Sequence, residues 1–127
     1  MSSLKIPNGH QAIMPYLMLN GAVKFKDFVV KVFGGIVLSS HNQPDSELIK
    51  HSEIQIEGST IMFCDATEDW PAKPASLFLY VANADETYAN ALREGATSIM
   101  ELTDQDYGRT CGVSDPCGNV WWITSVA

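Results

Sequence analysis

The sequence predicts an α+β fold built from two βαβββ modules with curved mixed sheets. Three observations carry that expectation. Along 127 residues, a strand-sized apolar run, an amphipathic helix and three further strand-sized runs occur in that order twice. Equivalent residues of the two copies keep one spacing: Gly35 and Gly95 at the helix ends, Gly58 and Gly118 at the hairpins, Phe28 and Tyr88, and Val32 and Leu92 each stand 60 apart. A repeat of that length marks duplication of a supersecondary unit and not a solenoid. Between the copies, residues 67–74 hold Trp70, Pro71 and Pro74 and read as a linker. The chain is therefore expected to be one domain, 1–127, made of modules 11–66 and 75–127.

Each element has its own signal. Gln11 to Leu19 is short, apolar and closed by Asn20-Gly21, the pattern of a strand. Ala22 to Phe33 places Val23, Phe25, Phe28, Val29, Val32 and Phe33 at helical spacings, and Gly34-Gly35 ends the helix. Ile36 to Ser40 is the next strand, followed by a polar loop from His41 to Glu47. Leu48 to Ile56 alternates Ile54 and Ile56 with Glu53 and Gln55, Glu57-Gly58 makes a hairpin turn, and Ser59 to Cys64 returns. In the second copy, Ser76 to Ala82 is a strand and Ala84 to Glu94 a helix with Tyr88, Ala91 and Leu92 on one face. Thr97 to Leu102, Thr110 to Ser114 and Asn119 to Ser125 are strands, the last two joined by a turn at 115–118.

Composition removes several function classes. Fifteen Asp and Glu against eight Lys and Arg give a net charge of −7. Such a chain lacks the basic face that nucleic-acid phosphates or an anionic membrane surface demand. The richest apolar stretch, Phe28 to Leu38, contains a lysine and two glycines and is too short to span a bilayer. The first seven residues hold no apolar leader core. Three cysteines without framework spacing read as reduced thiols, so a cytoplasmic protein is expected.

The pieces Pro15–Gly21, Val32–Gly35, His51–Gly58, Ser59–Asp65, Tyr80–Asp85, Glu94–Ala96, Asp106–Arg109 and Asp115–Trp121 span nearly the whole chain in order. In them the sequence resembles the vicinal oxygen chelate superfamily of glyoxalases, bleomycin-resistance proteins and extradiol dioxygenases, and most of all its PhnB-like branch. The resemblance implies the glyoxalase/bleomycin-resistance fold, a cavity enclosed by the curved sheets, and a homodimer, here expected to exchange modules between subunits. Three positions depart from the pattern. The helix has Phe28-Val29 where Phe-Tyr is usual, Gly108 and Arg109 are adjacent where one residue usually separates them, and Cys117 stands where phenylalanine is usual.

In the superfamily's metal enzymes, four strands each present one His, Gln or Glu inward. Carried onto this chain, those positions fall on Met14, Met62, Ser76 and Trp122. Methionine and tryptophan do not replace the water shell of a hard or borderline divalent ion. No cofactor is therefore expected, with a divalent metal as the alternative.

A two-residue turn at Glu57-Gly58 pairs Ile56 with Ser59, Glu53 with Met62 and His51 with Cys64. His51, Glu53, Gln55, Thr60, Met62 and Cys64 then share one face, and Ile54, Ile56, Ile61 and Phe63 the other. The second set is uniformly apolar and belongs against the helices; the mixed first set suits a binding cavity. On it, His51 and Glu53 form a candidate general acid/base pair or a structural hydrogen bond. Met14, Gln55, Met62, Phe78, Tyr80 and Trp122 are candidate ligand contacts, several of which equally suit core packing. Arg109 can hold an anionic ligand group or close a loop salt bridge. Cys64 and Cys111 are expected on matching inner faces as inert thiols, and His10 and His41 in loops. The leading expectation is a metal-independent PhnB-like protein binding a small molecule, an acidic one suited to a cationic aromatic ligand. The rival is a glyoxalase-like lyase or isomerase with Glu53 as base.

Overall fold

A computed structural model describes residues 3–127, so the first two of the seven N-terminal residues read above lie outside the described residues. Its elements run β1 (Tyr16–Leu19), α1 (Ala22–Phe33), β2 (Ile36–Asn42), β3 (Ile49–Ile56), β4 (Ser59–Asp65), β5 (Ser76–Tyr80), α2 (Ala84–Arg93), β6 (Thr97–Gln105), β7 (Gly108–Ser114) and β8 (Val120–Ser125). They form two four-stranded sheets, ordered β1-β4-β3-β2 and β5-β8-β7-β6. In each, the first strand pairs parallel with the last and the other pairings are antiparallel. This is the predicted α+β fold of paired βαβββ units.

Local chemistry explains the element ends. Strand β1 starts at Tyr16, later than predicted, because Pro15 has no N–H to give; its carbonyl accepts from Met62 N at 2.9 Å, and the chain before it turns away. Helix α1 has no side-chain cap of its own at Gly21. Its first free N–H, at Ala22, is taken instead by the buried Asp65 at 3.0 Å, whose other oxygen accepts from Ile49 N at 2.7 Å. One carboxylate thus ties the ends of α1, β3 and β4 together. At the far end Gly34 adopts a left-handed conformation, and a side chain on Gly35 would stand 2.7 Å from Val29 Cγ1. In α2 the Asn83 side chain accepts from Glu86 N, while Asp85, Glu86 and Arg93 complement the helix dipole.

The two modules share one core. Leu17, Leu19, Ile54, Ile56, Ile61 and Phe63 of the first sheet join Val113, Trp121 and Ile123 of the second, with Phe25 and Val29 of α1 and Ala84 and Ala91 of α2 between them. Trp121 is the keystone, its ring centroid 4.6 Å from that of Phe33 and 6.3 Å from that of Phe25. Each large side chain withdrawn here contributes roughly 1.5–3 kcal/mol, which neither half could collect alone.

The two hairpins differ in one way that changes a prediction. Ile56 pairs with Ser59 across a two-residue turn, but Ser114 pairs with Val120 across a five-residue loop. That one-residue difference in register reverses the faces of β7 relative to β3. Cys111 therefore lies opposite Ile123 in the core and not on the open face with Cys64. Burial pushes its thiol up to about 11. Among the described residues, no helix is long and apolar enough to cross a membrane.

Candidate functional site

Each sheet turns one face to the common core and leaves the other open. On the first sheet the predicted pairings Ile56–Ser59 and Glu53–Met62 are present. Ile54, Ile56, Ile61 and Phe63 are buried as expected, and His51, Glu53, Gln55 and Met62 line the half-buried open face.

On that face four side chains form one hydrogen-bonded chain. The Tyr16 hydroxyl lies 3.0 Å from His51 Nδ1, His51 Nε2 lies 2.9 Å from Glu53 Oε2, and Glu53 Oε1 lies 2.7 Å from His10 Nε2. The hydrogen bonds from His51 and His10 hold the Glu53 carboxyl below the usual glutamate range, against a smaller opposing effect of desolvation. Tyr16 is shifted upward by its burial and by the Cys64 thiol and the Glu53 charge nearby; burial raises Cys64 in turn.

His10 comes from the segment before β1, which sequence reasoning placed in a loop. It does lie outside the strands, but it is strapped across the sheet. The Gln11 side chain donates to Thr60 O at 2.8 Å and accepts from Thr60 N at 3.2 Å, and the Thr60 hydroxyl donates to Gly9 O. A glutamine amide offers a donating NH2 group and an accepting carbonyl oxygen, so by donating once and accepting once it here imitates a neighbouring strand. No periodicity or motif marks such a contact across 49 residues.

The other candidates fall elsewhere. Met14 sits in the strap, its sulfur accepting from Gln11 N at 3.4 Å. Gln55 reaches Thr60 Oγ1 at 3.4 Å. Phe78, Tyr80 and Trp122 lie together on the open face of the second sheet: Phe78 is opposite Trp122, and its ring meets Tyr80 edge-on at 5.3 Å and lies 6.1 Å from Tyr107. Phe78 and Tyr80 are 49% and 59% exposed, so the described residues leave about half of each open. The Trp122 ring lies over Gly112, where a Cβ would approach to 2.4 Å. Among the described residues of one chain, no hydrogen bond or ring contact joins this aromatic cluster to the His51–Glu53 cluster. Arg109 is farther off: its guanidinium holds Asp85 through two bonds, 2.9 and 3.2 Å, and Asp104 at 3.3 Å. Asp85 above all raises its pKa.

The parallel registers set Tyr16 opposite Met62 and Phe78 opposite Trp122, two residues beyond the predicted Met14 and Ser76. This group offers a phenol, a thioether, an apolar ring and an indole whose N–H is donated to Ser76 Oγ at 3.2 Å. Those donors do not fit a hard divalent ion. Among the described residues, no three His, Cys, Asp or Glu side chains are grouped so as to hold one.

Fold and site together define a duplicated βαβββ protein in which each sheet turns one face away from the common core. The chain belongs to the glyoxalase/bleomycin resistance protein/dioxygenase superfamily, whose family model matches residues 17–123. An uncharacterised protein of Mycobacterium bovis is 32% identical over 126 residues, covering 90% of this chain and 82% of that one. Among solved structures, a PhnB protein from Bacillus cereus has a TM-score of 0.73 at 18% identity, covering 91% of this chain and all of the other. TnmS3, an antibiotic binding protein from Streptomyces sp. CB03234, has a TM-score of 0.69 at 21% identity, covering 93% of this chain and 100% of that one.

Proposed function

We propose that this protein is a PhnB-like binder of a small organic molecule that works without a resident divalent metal, as a homodimer in which the modules of one chain close the open faces of the other. The observation that carries the reading is the pair of sheet faces turned away from the core. One bears the Tyr16–His51–Glu53–His10 chain and the other an exposed aromatic cluster, and both stand outside the core that stabilises the chain. Half-exposed aromatic rings beside a few fixed polar groups make a wall suited to a flat ligand. The fold likeness to an antibiotic binding protein is consistent with sequestration, and the donor set described above supports the absence of a metal.

Light scattering, metal analysis of the purified protein and thermal shift against divalent ions and a panel of aromatic compounds test this together. A dimer stabilised by an aromatic compound and carrying no stoichiometric metal is the expected result. A stoichiometric metal whose removal lowers the melting temperature would overturn the metal-free part, and a monomer at high concentration would overturn the shared cavity.

A second reading, a glyoxalase-like lyase or isomerase, has one specific observation in its favour. His51 and Glu53 are hydrogen-bonded to each other on the open face, as an acid/base pair would be. Turnover that survives both His51→Ala and Glu53→Gln would remove them from any such mechanism.

A further inference from the structure

The linker between the modules, whose Trp70 had no assigned role, closes a pocket of about 390 Å³ against the first sheet. That volume lies within the range of small-molecule sites, roughly 300–1,000 Å³. None of the candidate residues predicted from the sequence lines it. Its lining includes Tyr16 and Met18 of β1, Cys64 of β4, Trp70 of the linker and Lys50 of β3.

Three features make this a built site. First, the linker is ordered where it meets the sheet. Thr67 N donates to Trp70 O at 2.9 Å and Trp70 N to Thr67 Oγ1 at 3.1 Å within the linker, while Ala66 N donates to Leu19 O at 2.8 Å and Lys73 N to Met18 O at 2.9 Å, so the backbone is stapled to β1 on both sides of the tryptophan. The Trp70 side chain is nevertheless 64% exposed, a large ring held in place with most of its surface still open to a ligand. Second, the ladder between β2 and β3 contains a bulge. His41 pairs with His51 and Asn42 with Ile49, which leaves Lys50 as the extra residue. A bulge re-aims a side chain: strict alternation would send Lys50 to the core face beside Ser52 and Ile54, whereas it lines the pocket instead. Third, the Lys50 ammonium has no carboxylate within 4.0 Å among the described residues, in a chain with nearly twice as many acids as bases. Asp65 is the one acid lining the pocket, and both of its oxygens are already engaged by Ala22 N and Ile49 N.

We infer that this pocket is a subsite for a planar aromatic anion, its ring lodged against Trp70, Tyr16 and Met18 and its carboxylate or phenolate on Lys50. An ammonium with no carboxylate partner among the described residues, lining a mostly apolar pocket, selects a ligand with one apolar body and one negative end. The inference reverses locally the cationic preference suggested by the net charge. It rests on the proposed binding role of the first sheet's open face, of which Tyr16, Met18 and Cys64 form one end.

Three probes of one shape separate the possibilities: 2-naphthoate, 2-naphthalenemethanol and 2-naphthylmethylamine, followed by calorimetry and by 15N-resolved NMR on the full chain. The expected result is that naphthoate binds best, moving the amides of Met18 and Lys50 and the Trp70 indole N–H. Lys50→Met should weaken naphthoate about tenfold or more while leaving the alcohol unchanged, Lys50→Arg should retain it, and Trp70→Ala should weaken all three. Both positions are exposed, so unchanged melting temperatures verify that the variants fold. Tighter binding of the amine, or naphthoate affinity unaffected by Lys50→Met, would overturn the inference. Shifts confined to Gln55 and Met62 would overturn this subsite yet keep the face as a binding wall, whereas the aromatic panel and metal analysis above judge that wall separately.

Discussion

Replacing Asp115 by alanine removes one carboxylate from the five-residue loop between β7 and β8. Oδ1 accepts from Cys117 N at 2.8 Å, Asn119 N at 3.0 Å and Asn119 Nδ2 at 3.3 Å. Oδ2 accepts from Asn119 Nδ2 at 3.0 Å and from Trp121 Nε1 at 2.8 Å. Asn119 and Trp121 are almost wholly buried, so three of these four donor groups lose their partner where water does not easily replace it. A buried donor left unsatisfied costs roughly 1–3 kcal/mol. Two effects reduce the sum: alanine no longer carries a desolvated charge, and the vacated space can admit a water. The expected net loss is about 3–5 kcal/mol, a large part of the ~5–15 kcal/mol total stability of a domain. At roughly 3–5 °C per kcal/mol for a chain of this size, the melting temperature should fall by roughly 10–20 °C. Urea unfolding followed by tryptophan fluorescence measures this directly, because Trp121 is itself a reporter. Asp115→Asn keeps the shape and one acceptor and should fall between the two. A loss below about 1 kcal/mol for the alanine variant would refute the claim that this carboxylate locks the loop.

Three further outcomes follow from named positions. Glu57 has φ +46° at the first place of its hairpin turn, a conformation asparagine or glycine adopts at less cost, so Glu57→Asn should stabilise by about 0.5–1 kcal/mol in the same urea assay. Gly112→Ala drives a methyl group into the Trp122 ring and should cost about 1–3 kcal/mol, with the indole N–H resonance of Trp122 displaced in NMR. Glu53 has its carboxyl held below the ordinary value of 4.5, so its contribution to stability is complete above that pH and is lost as pH falls through the lowered value. Glu53→Gln should therefore flatten the acid limb of the stability–pH curve below pH 4.5, and an unchanged limb would count against the His10–Glu53–His51 chain.

How far the sequence could be read depended on whether a feature repeats. The helices, the hairpins and the buried Ile54–Ile56 and Ile61–Phe63 stripes were legible because periodicity and the offset of 60 state them twice. The offset failed at Cys111, where a loop of five residues replaces a turn of two; counting glycines aligned the turns without revealing how many residues each leaves unpaired. Individual contacts outside the pattern were silent. His10 reaches Glu53 through a strap with no secondary structure, and Asp65 caps a helix that begins 43 residues before it. Lys50 shows the same limit from another side. In sequence it is one of an alternating series, and only the bulge opposite His41 and Asn42 turns it from the expected face.

The geometry of Glu53 weighs binding against catalysis. A general base needs a free lone pair aimed at substrate and a pKa near the working pH. Here each carboxylate oxygen already accepts one bond, from His51 or from His10, which leaves one lone pair on each, and those bonds make the group a weaker base than an ordinary glutamate. A carboxylate clamped from both sides is better suited to fixing two imidazoles than to removing a proton. The rival lyase or isomerase would gain a stronger base by releasing His10, whose neighbour Gln11 ties the strap to Thr60. His10→Ala separates the cases. Under the binding reading it should loosen the strap, seen as faster amide exchange at Thr60, and create no new activity. Under the catalytic reading it frees Oε1 and should raise the rate of proton exchange on an α-hydroxy carbonyl substrate, and that increase would overturn the preference for binding.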